Sequence, residues 1–229
     1  MGDRHSLITN SAFVHTNQRD PYASATHDLV ARVKSLAVDS IADIGCGDAG
    51  ITDVLAGSLG SRVTVYAVDQ DPDVFVHNWR NRADASVIEV VQDVNDLRMP
   101  RLVDVIVSRF LLIDLATPLE AIRQMRSWIR PGGHLVLLEP ITSTGRVNHQ
   151  PLRVDSDEIV NPDIGIELAE LLEATHFSGI ELFATTPVGI GESLVGRYLG
   201  AMTGNDPDPR DFVALPTLVT AWGRRPLDG

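Results

Sequence analysis

Five short runs rich in valine and isoleucine, each separated from the next by a stretch of helical or polar sequence, constrain this chain more than any other feature. They are Ser40 to Ile44, Arg62 to Val68, Val87 to Val91, Val103 to Val107 and Leu135 to Leu138. Each is too short for a helix and is bounded by turn residues or acids, so we read them as buried strands. Helices are expected at Ile51 to Leu59, Pro72 to Arg82 and Pro118 to Ile129. The second opens on Asp71-Pro72-Asp73. The third opens on Thr117-Pro118-Leu119-Glu120, a capping box with proline in the first turn. Neighbouring parallel strands need a crossover long enough to hold a helix, so this alternation predicts an α/β domain with a doubly wound, mostly parallel sheet.

The flanks extend the pattern. Residues 1–24 show no sustained period and read as an N-terminal arm. Ser24 or Thr26 then caps a helix whose apolar positions are Leu29, Val30, Val33, Leu36 and Ala37. Arg130-Pro131-Gly132-Gly133 stops the third helix before the fifth strand. A helix at about Ile164 to Thr175 precedes the run Gly179 to Ala184, and Pro216 to Gly223 alternates like a final strand. Between these last two, Leu194, Val195, Tyr198, Leu199 and Met202 recur at helical spacing. We therefore expect one domain over residues 25–229, with lid-like segments at 141–163 and 188–212.

Composition narrows the functions. The 31 acids and 19 bases give a net charge of -12, spread along the chain, which repels phosphate backbones and argues against a nucleic-acid partner. No apolar run reaches the ~18 residues needed to span a bilayer, so no membrane association is expected. Lys34 is the sole lysine, which excludes a Walker GK loop, a Tyr-x-x-x-Lys pair and a Schiff-base lysine in the second half. Cys46 is the sole cysteine, so neither an internal disulfide nor a cysteine-rich zinc site can form. That usage, with a start (MGDRHSLITN) lacking the features of a signal peptide, makes the cytoplasm the expected compartment. A homodimer is left open. His77 with Asp71, Asp73 and Asp84 reads as a helix surface, and no metal is expected.

The segment Asp43-Ile44-Gly45-Cys46-Gly47-Asp48-Ala49-Gly50 joins the first strand to the helix that follows. Gly45 and Gly47 permit a tight turn and a close backbone approach, and the helix N-terminus offers free N–H groups. As G-x-G-x-x-G with Asp69 some twenty residues on, the loop fits a dinucleotide. Two acids point instead to S-adenosylmethionine. Asp43 at the strand end suits a cationic amino group better than a pyrophosphate, and Asp93 in Gln92-Asp93-Val94 closes the third strand, where it can accept from an adenine amino group.

The set Asp43-Ile44-Gly45-Cys46-Gly47, Val68-Asp69, Gln92-Asp93-Val94, Ser108-Arg109-Phe110 and Arg130-Pro131-Gly132-Gly133-His134-Leu135 resembles the class I S-adenosylmethionine-dependent methyltransferases over residues 25–185. The resemblance implies a seven-stranded sheet of order 3-2-1-4-5-7-6, its last strand antiparallel, with helices on both faces. It implies that Gly45, Cys46 and Gly47 lie against the methionine portion, Asp43 binds its amino group and Asp69 takes the ribose hydroxyls. Gln70, Asp93 and Val94 would read the adenine, while Ser108 and Arg109 flank the methionine end. Many members carry a third glycine where this chain has Ala49, and Gly50 next to it implies a shifted turn.

The chemistry expected is methyl transfer to the oxygen, nitrogen or carbon of a small organic molecule. An in-line displacement draws much of its rate from alignment, and a base is needed only when the acceptor must lose a proton. His149 in the loop after the fifth strand is the candidate base and Asp114 its orienting partner. His27 is a weaker candidate, and His134 and His176 read as structural. Tyr22, Phe110, Ile141, Tyr198 and Phe212 are candidate acceptor-pocket residues. Two alternatives stay open: a methyltransferase fold that binds the cofactor for a non-methylating reaction such as cyclisation, and, more distantly, an NAD(P) oxidoreductase. Asn/Asp-Pro-Pro-Tyr does not follow the fourth strand, which argues against base or glutamine N-methylation.

Overall fold

The computed structural model of the chain describes residues 20–78, 87–152 and 159–227. In chain order the elements are α1 (Ala23–Ser35), β1 (Ser40–Ile44), α2 (Gly50–Leu59), β2 (Thr64–Asp69), α3 (Pro72–Asn78) and β3 (Val87–Val91). Then follow β4 (Val103–Arg109), α4 (Pro118–Trp128), β5 (Ile129–Ile141), β6 (Arg146–Val147), β7 (Gln150–Pro151) and α5 (Leu168–Ala174). The chain ends with β8 (Ser178–Thr185), β9 (Val188–Ile190), α6 (Leu194–Thr203), β10 (Phe212–Ala214) and β11 (Thr217–Arg224). Most of the arm, the expected end of the helix at 79–82 and Asp84 lie outside the described residues.

Seven strands form one sheet in the order β3-β2-β1-β4-β5-β11-β8. The pairs from β3 to β5 are parallel, and β11 runs antiparallel to both β5 and β8. Counted within this sheet alone, that is the expected order 3-2-1-4-5-7-6. Strand alternation divides the core into two layers. Ile41, Val105, Val107, Val136, Leu138, Leu218 and Trp222 pack under α1, α2 and α6. Ala42, Ile44, Ile106, Leu135 and Leu137 pack under α4 and α5. Because β1, β2, β4 and β5 are parallel, their following loops all emerge at one edge, where ligands bind in open α/β sheets.

Several expectations need correction. β3 is an edge strand rather than a buried one, with Ile88 and Val91 44% and 52% exposed. β5 is far longer than Leu135–Leu138, because Arg130–Gly133 bulges between the pairs Ile129↔Val103 and His134↔Val105. α1 is capped by neither Ser24 nor Thr26: it starts at Ala23, and the Asp20 carboxylate accepts from the Tyr22 N–H at 2.8 Å. Thr117 makes no side-chain cap. The expected helix from Ile164 is a 3-10 turn, Ile164–Ile166, followed by the shorter α5. α6 is where the periodicity puts it, but a second sheet, β7-β6-β10-β9, flanks it and was not foreseen.

Candidate functional site

The turn after β1 is built around backbone that favours glycine. Gly45 and Gly47 have φ of 72° and 49°, and Ala49 is left-handed too at 72°. The turn is thus not shifted onto Gly50, which is the first residue of α2; Ala49 adopts the strained conformation itself. The Gly45 and Cys46 N–H groups both donate to the Val68 carbonyl, at 2.8 and 3.0 Å, tying the loop to β2. A Cβ at Gly45 would lie 3.1 Å from Leu111 Cδ1, so the glycine also allows the turn after β4 to approach.

Acids stand at the ends of three neighbouring strands. Asp43, 2% exposed, accepts from the Thr52 hydroxyl at 2.6 Å. Burial pushes its carboxyl up to about 6, against the pull of Thr52 and of the Arg109 charge. Asp69 accepts from the Gly47 N–H and from the Asp71 N–H, both at 3.0 Å, so it joins the two loops. Gln70 beside it is exposed. Asp93 caps the turn Val94–Asp96 by accepting from the Asn95 N–H at 2.8 Å, and Val94 is buried. Cys46 is buried, and burial drives its thiol far above the usual range, so it is no nucleophile at neutral pH.

Arg109, the last residue of β4, donates to the Asp20 carboxylate at 2.6 Å. It also lies over the Phe110 ring, 5.3 Å from its centre. Phe110 has φ of 56° and meets Tyr22 edge to face at 5.9 Å, and Tyr22 meets Tyr198 of α6 at 6.3 Å. Tyr22 donates its hydroxyl to the Pro216 carbonyl at 2.8 Å. Burial pushes both phenols up, Tyr198 to about 12, so neither is a base at neutral pH. Residues distant in sequence thus converge at the ends of β1 and β4. A separate cavity of ≈ 240 Å³ runs along α1, lined in part by Leu29, Arg32, Phe183 and Trp222, and none of its lining residues comes from the glycine loop.

A family model described as a methyltransferase domain matches residues 42–137, from β1 into β5. That match takes in the glycine loop and the strand ends that carry Asp43, Asp69 and Arg109. The described residues share their fold with solved methyltransferases. The chain superposes on the N-methyltransferase NodS of Bradyrhizobium japonicum in complex with S-adenosyl-L-homocysteine (19% identity, TM-score 0.57, covering 90% of this chain and 89% of the other). It superposes likewise on human N-acetylserotonin methyltransferase in complex with S-adenosylmethionine (13%, 0.59, 95% and 57%). Among curated relatives it is 27% identical over 179 residues to a reducing polyketide synthase, grgA, of a Penicillium species, covering 69% of this chain and 7% of that protein. It is also 27% identical over 194 residues to an uncharacterised 37.1 kDa protein in a Streptomyces fradiae transposon, covering 77% and 56%. The chain spans less than two thirds of either curated relative.

Not every expected residue reaches the glycine loop. Ser108 is fully buried, and by strand alternation its side chain belongs with Ile106 to the α4–α5 layer, the face opposite Arg109. Ile141 packs into that layer also, away from Tyr22 and Tyr198. Phe212 is an exposed residue of β10. His149 is exposed in the turn joining β6 to β7, and Asp114 is exposed at the end of the turn Leu112–Asp114. Neither is among the buried groups at the loop. His27 is exposed on α1, and His134 sits within β5, its ring 6.2 Å from that of Trp222. Among the described residues no three His, Cys, Asp or Glu side chains are placed to hold a metal, and no helix is long and apolar enough to cross a membrane.

Two residues were missed. Asp20 sits in a stretch without periodicity, and only its place just before α1 could have marked it as a cap. Glu139 is 0% exposed at the end of β5 and accepts from the N–H groups of Leu111 and Leu112 at 2.9 Å and of Ile113 at 3.3 Å. An acid closing an apolar strand was the available signal.

Proposed function

We propose that this protein transfers the methyl group of S-adenosylmethionine to a small organic molecule. The observation that carries this reading is Asp43: a buried carboxylate, held at a strand end beside a left-handed glycine turn, whose ionised form is only partly compensated by Thr52 and Arg109 and is therefore suited to a cation. Asp43 would receive the amino group of the cofactor, and Gly45 and Gly47 leave room for its backbone-close portion. Asp69 would take the ribose hydroxyls, with Gln70, Asp93 and Val94 at the adenine. Arg109 remains a candidate for the carboxylate end, with part of its donor capacity taken by Asp20. When bound, the cofactor supplies a methyl group on a positively charged sulfur.

The chain's own residues align the reactants and exclude water. Tyr22, Phe110 and Tyr198 form an aromatic cluster over the end of β4, to which the arm and the 188–212 segment each contribute, which supports their role as lids and acceptor walls. The phenols can orient an acceptor by hydrogen bonding but are too weakly acidic to take its proton at neutral pH. Catalysis then rests on proximity, with acceptors that are unprotonated at the reacting atom or lose a proton to solvent. His149 with Asp114 serves only if the β6–β7 turn folds over a bound acceptor. The net charge of -12 supports small molecules over nucleic acids as acceptors.

The test is calorimetric titration with S-adenosylmethionine, followed by incubation of a metabolite panel with methyl-labelled cofactor. Micromolar binding and a product heavier by one methylene are expected. Absence of binding by the wild-type chain would sink the reading, and binding with an unmethylated, rearranged product would shift it to cyclisation.

A further inference from the structure

Glu139 places a carboxyl group in the core, far from the solvent that ordinarily stabilises one. A buried carboxylate is tolerated only with strong hydrogen-bond donors around it, and here they come from three consecutive backbone amides, those of Leu111, Leu112 and Ile113. These three N–H groups open the 3-10 turn Leu112–Asp114, where the chain itself offers them no acceptor. Burial pushes the carboxyl up to about 8, against the lowering effect of the three amides, so the site is matched to a carboxylate but not fully compensated.

The grip falls on a strained place. Phe110 has φ of 56°, a conformation costly for a residue with a Cβ and kept only where its neighbours over-determine it. β5 supplies that constraint from both sides: the Phe110 N–H donates to the Leu138 carbonyl at 3.0 Å, and the next amide, that of Leu111, goes to the Glu139 side chain. The consequences reach both walls of the site. Leu111 lies against Gly45 of the glycine loop, and the Phe110 ring meets Tyr22 of the arm.

We propose that Glu139 is a positioning residue for methyl transfer, holding the turn after β4 so that Leu111 supports the cofactor loop and Phe110 supports the acceptor wall. This rests on the cofactor reading given above. Glutamine keeps the shape of Glu139 but turns an NH2 group toward backbone donors, so one or more of the three amides loses its acceptor. The experiment compares the wild type, Glu139→Gln and Met125→Ala, a buried substitution in α4 of the same core layer, outside the residues of both loops. Hydrogen exchange and binding of S-adenosylhomocysteine are both measured at a temperature where all three are folded by circular dichroism.

Exchange of a peptide containing residues 110–113 is expected to speed at least tenfold in Glu139→Gln, and binding to weaken at least tenfold. Met125→Ala, although less stable, should leave both near wild type. If Glu139→Gln matches Met125→Ala in exchange of this turn, Glu139 does not hold it and the proposal fails. If the turn loosens while affinity stays within twofold, the link to the site fails. A wild type that binds no S-adenosylhomocysteine removes the cofactor reading instead, and with it this role for Glu139, whereas the exchange result still reports the turn.

Discussion

Arg109 donates a hydrogen bond at 2.6 Å to the carboxylate of Asp20, and the two side chains keep only 10% and 11% of their surface exposed. The pair fastens Asp20, three residues before α1, to the end of β4, beside Asp43. Removing one partner of a buried pair strands the other charge. Asp20→Asn should therefore cost about 3 kcal/mol, whereas Asp20→Asn with Arg109→Met should recover part of that loss. Urea unfolding of the two variants checks the order, and a double variant less stable than Asp20→Asn would contradict it.

Asp43 makes stability depend on pH in a definite direction. Its carboxyl titrates near 6 in the folded chain against 3.8 ordinarily, so between these values the folded state binds more protons than the unfolded one. Stability then falls as pH rises from about 4 to about 6, and the full loss, of order 2–3 kcal/mol, persists above 6. Glu139, raised to about 8, has the same sign over a higher window. The difference between wild type and Asp43→Asn isolates the first group. Asp43→Asn should gain stability relative to wild type across pH 4–6 while losing affinity for S-adenosylhomocysteine, and a difference flat in pH would refute the assignment.

Ala49 occupies a left-handed position at φ of 72°. An L-residue with a Cβ loses about 1–2 kcal/mol there, while glycine gives back about 0.5–1 kcal/mol through the entropy of the unfolded chain. Ala49→Gly should stabilise the protein by about 0.5 kcal/mol, raising its melting temperature by about 1–2 °C. A scanning calorimeter resolves that shift, and a fall in melting temperature would mean that the methyl group packs more favourably than its backbone is strained. Ala49 is 1% exposed and sits with Cys46, Ala67 and Phe75, the contacts that could produce such a fall.

The sheet was legible because periodicity is a local signal: β1 was expected over the very residues it spans, and so was β3. What failed was decided by distant partners. Nothing near Val87–Val91 says that it is an edge, since that depends on which strand comes to rest beside it. At the start of α1 neither Ser24 nor Thr26 caps; instead Asp20 accepts from the Tyr22 N–H and also binds Arg109, a partner 89 residues away that no local pattern announces. The glycine loop was readable from its local spacing, as were Asp43 and Asp69 at successive strand ends. Glu139 was not, because its role arises from three amides brought to it by the pairing of β4 with β5. Ser108 was placed with Arg109 by the resemblance, and strand alternation sends the two to opposite faces.

Asp69 links the β1 and β2 loops, accepting from the Gly47 N–H and the Asp71 N–H, and is also the expected partner of the ribose hydroxyls. The two roles separate by measurement. As a loop tie, in a half-buried position where water can replace it, the carboxylate contributes about 1 kcal/mol to stability. As a ligand contact, its loss leaves hydroxyls unpaired in the complex and costs a further 1–3 kcal/mol, about 5- to 150-fold in affinity. Asp69→Ala should thus weaken binding of S-adenosylhomocysteine by much more than it lowers the urea midpoint, and Asp69→Asn, which keeps one acceptor, should fall between. If Asp69→Ala moves the unfolding midpoint but leaves calorimetric affinity unchanged, Asp69 ties the loops and the ribose is held elsewhere.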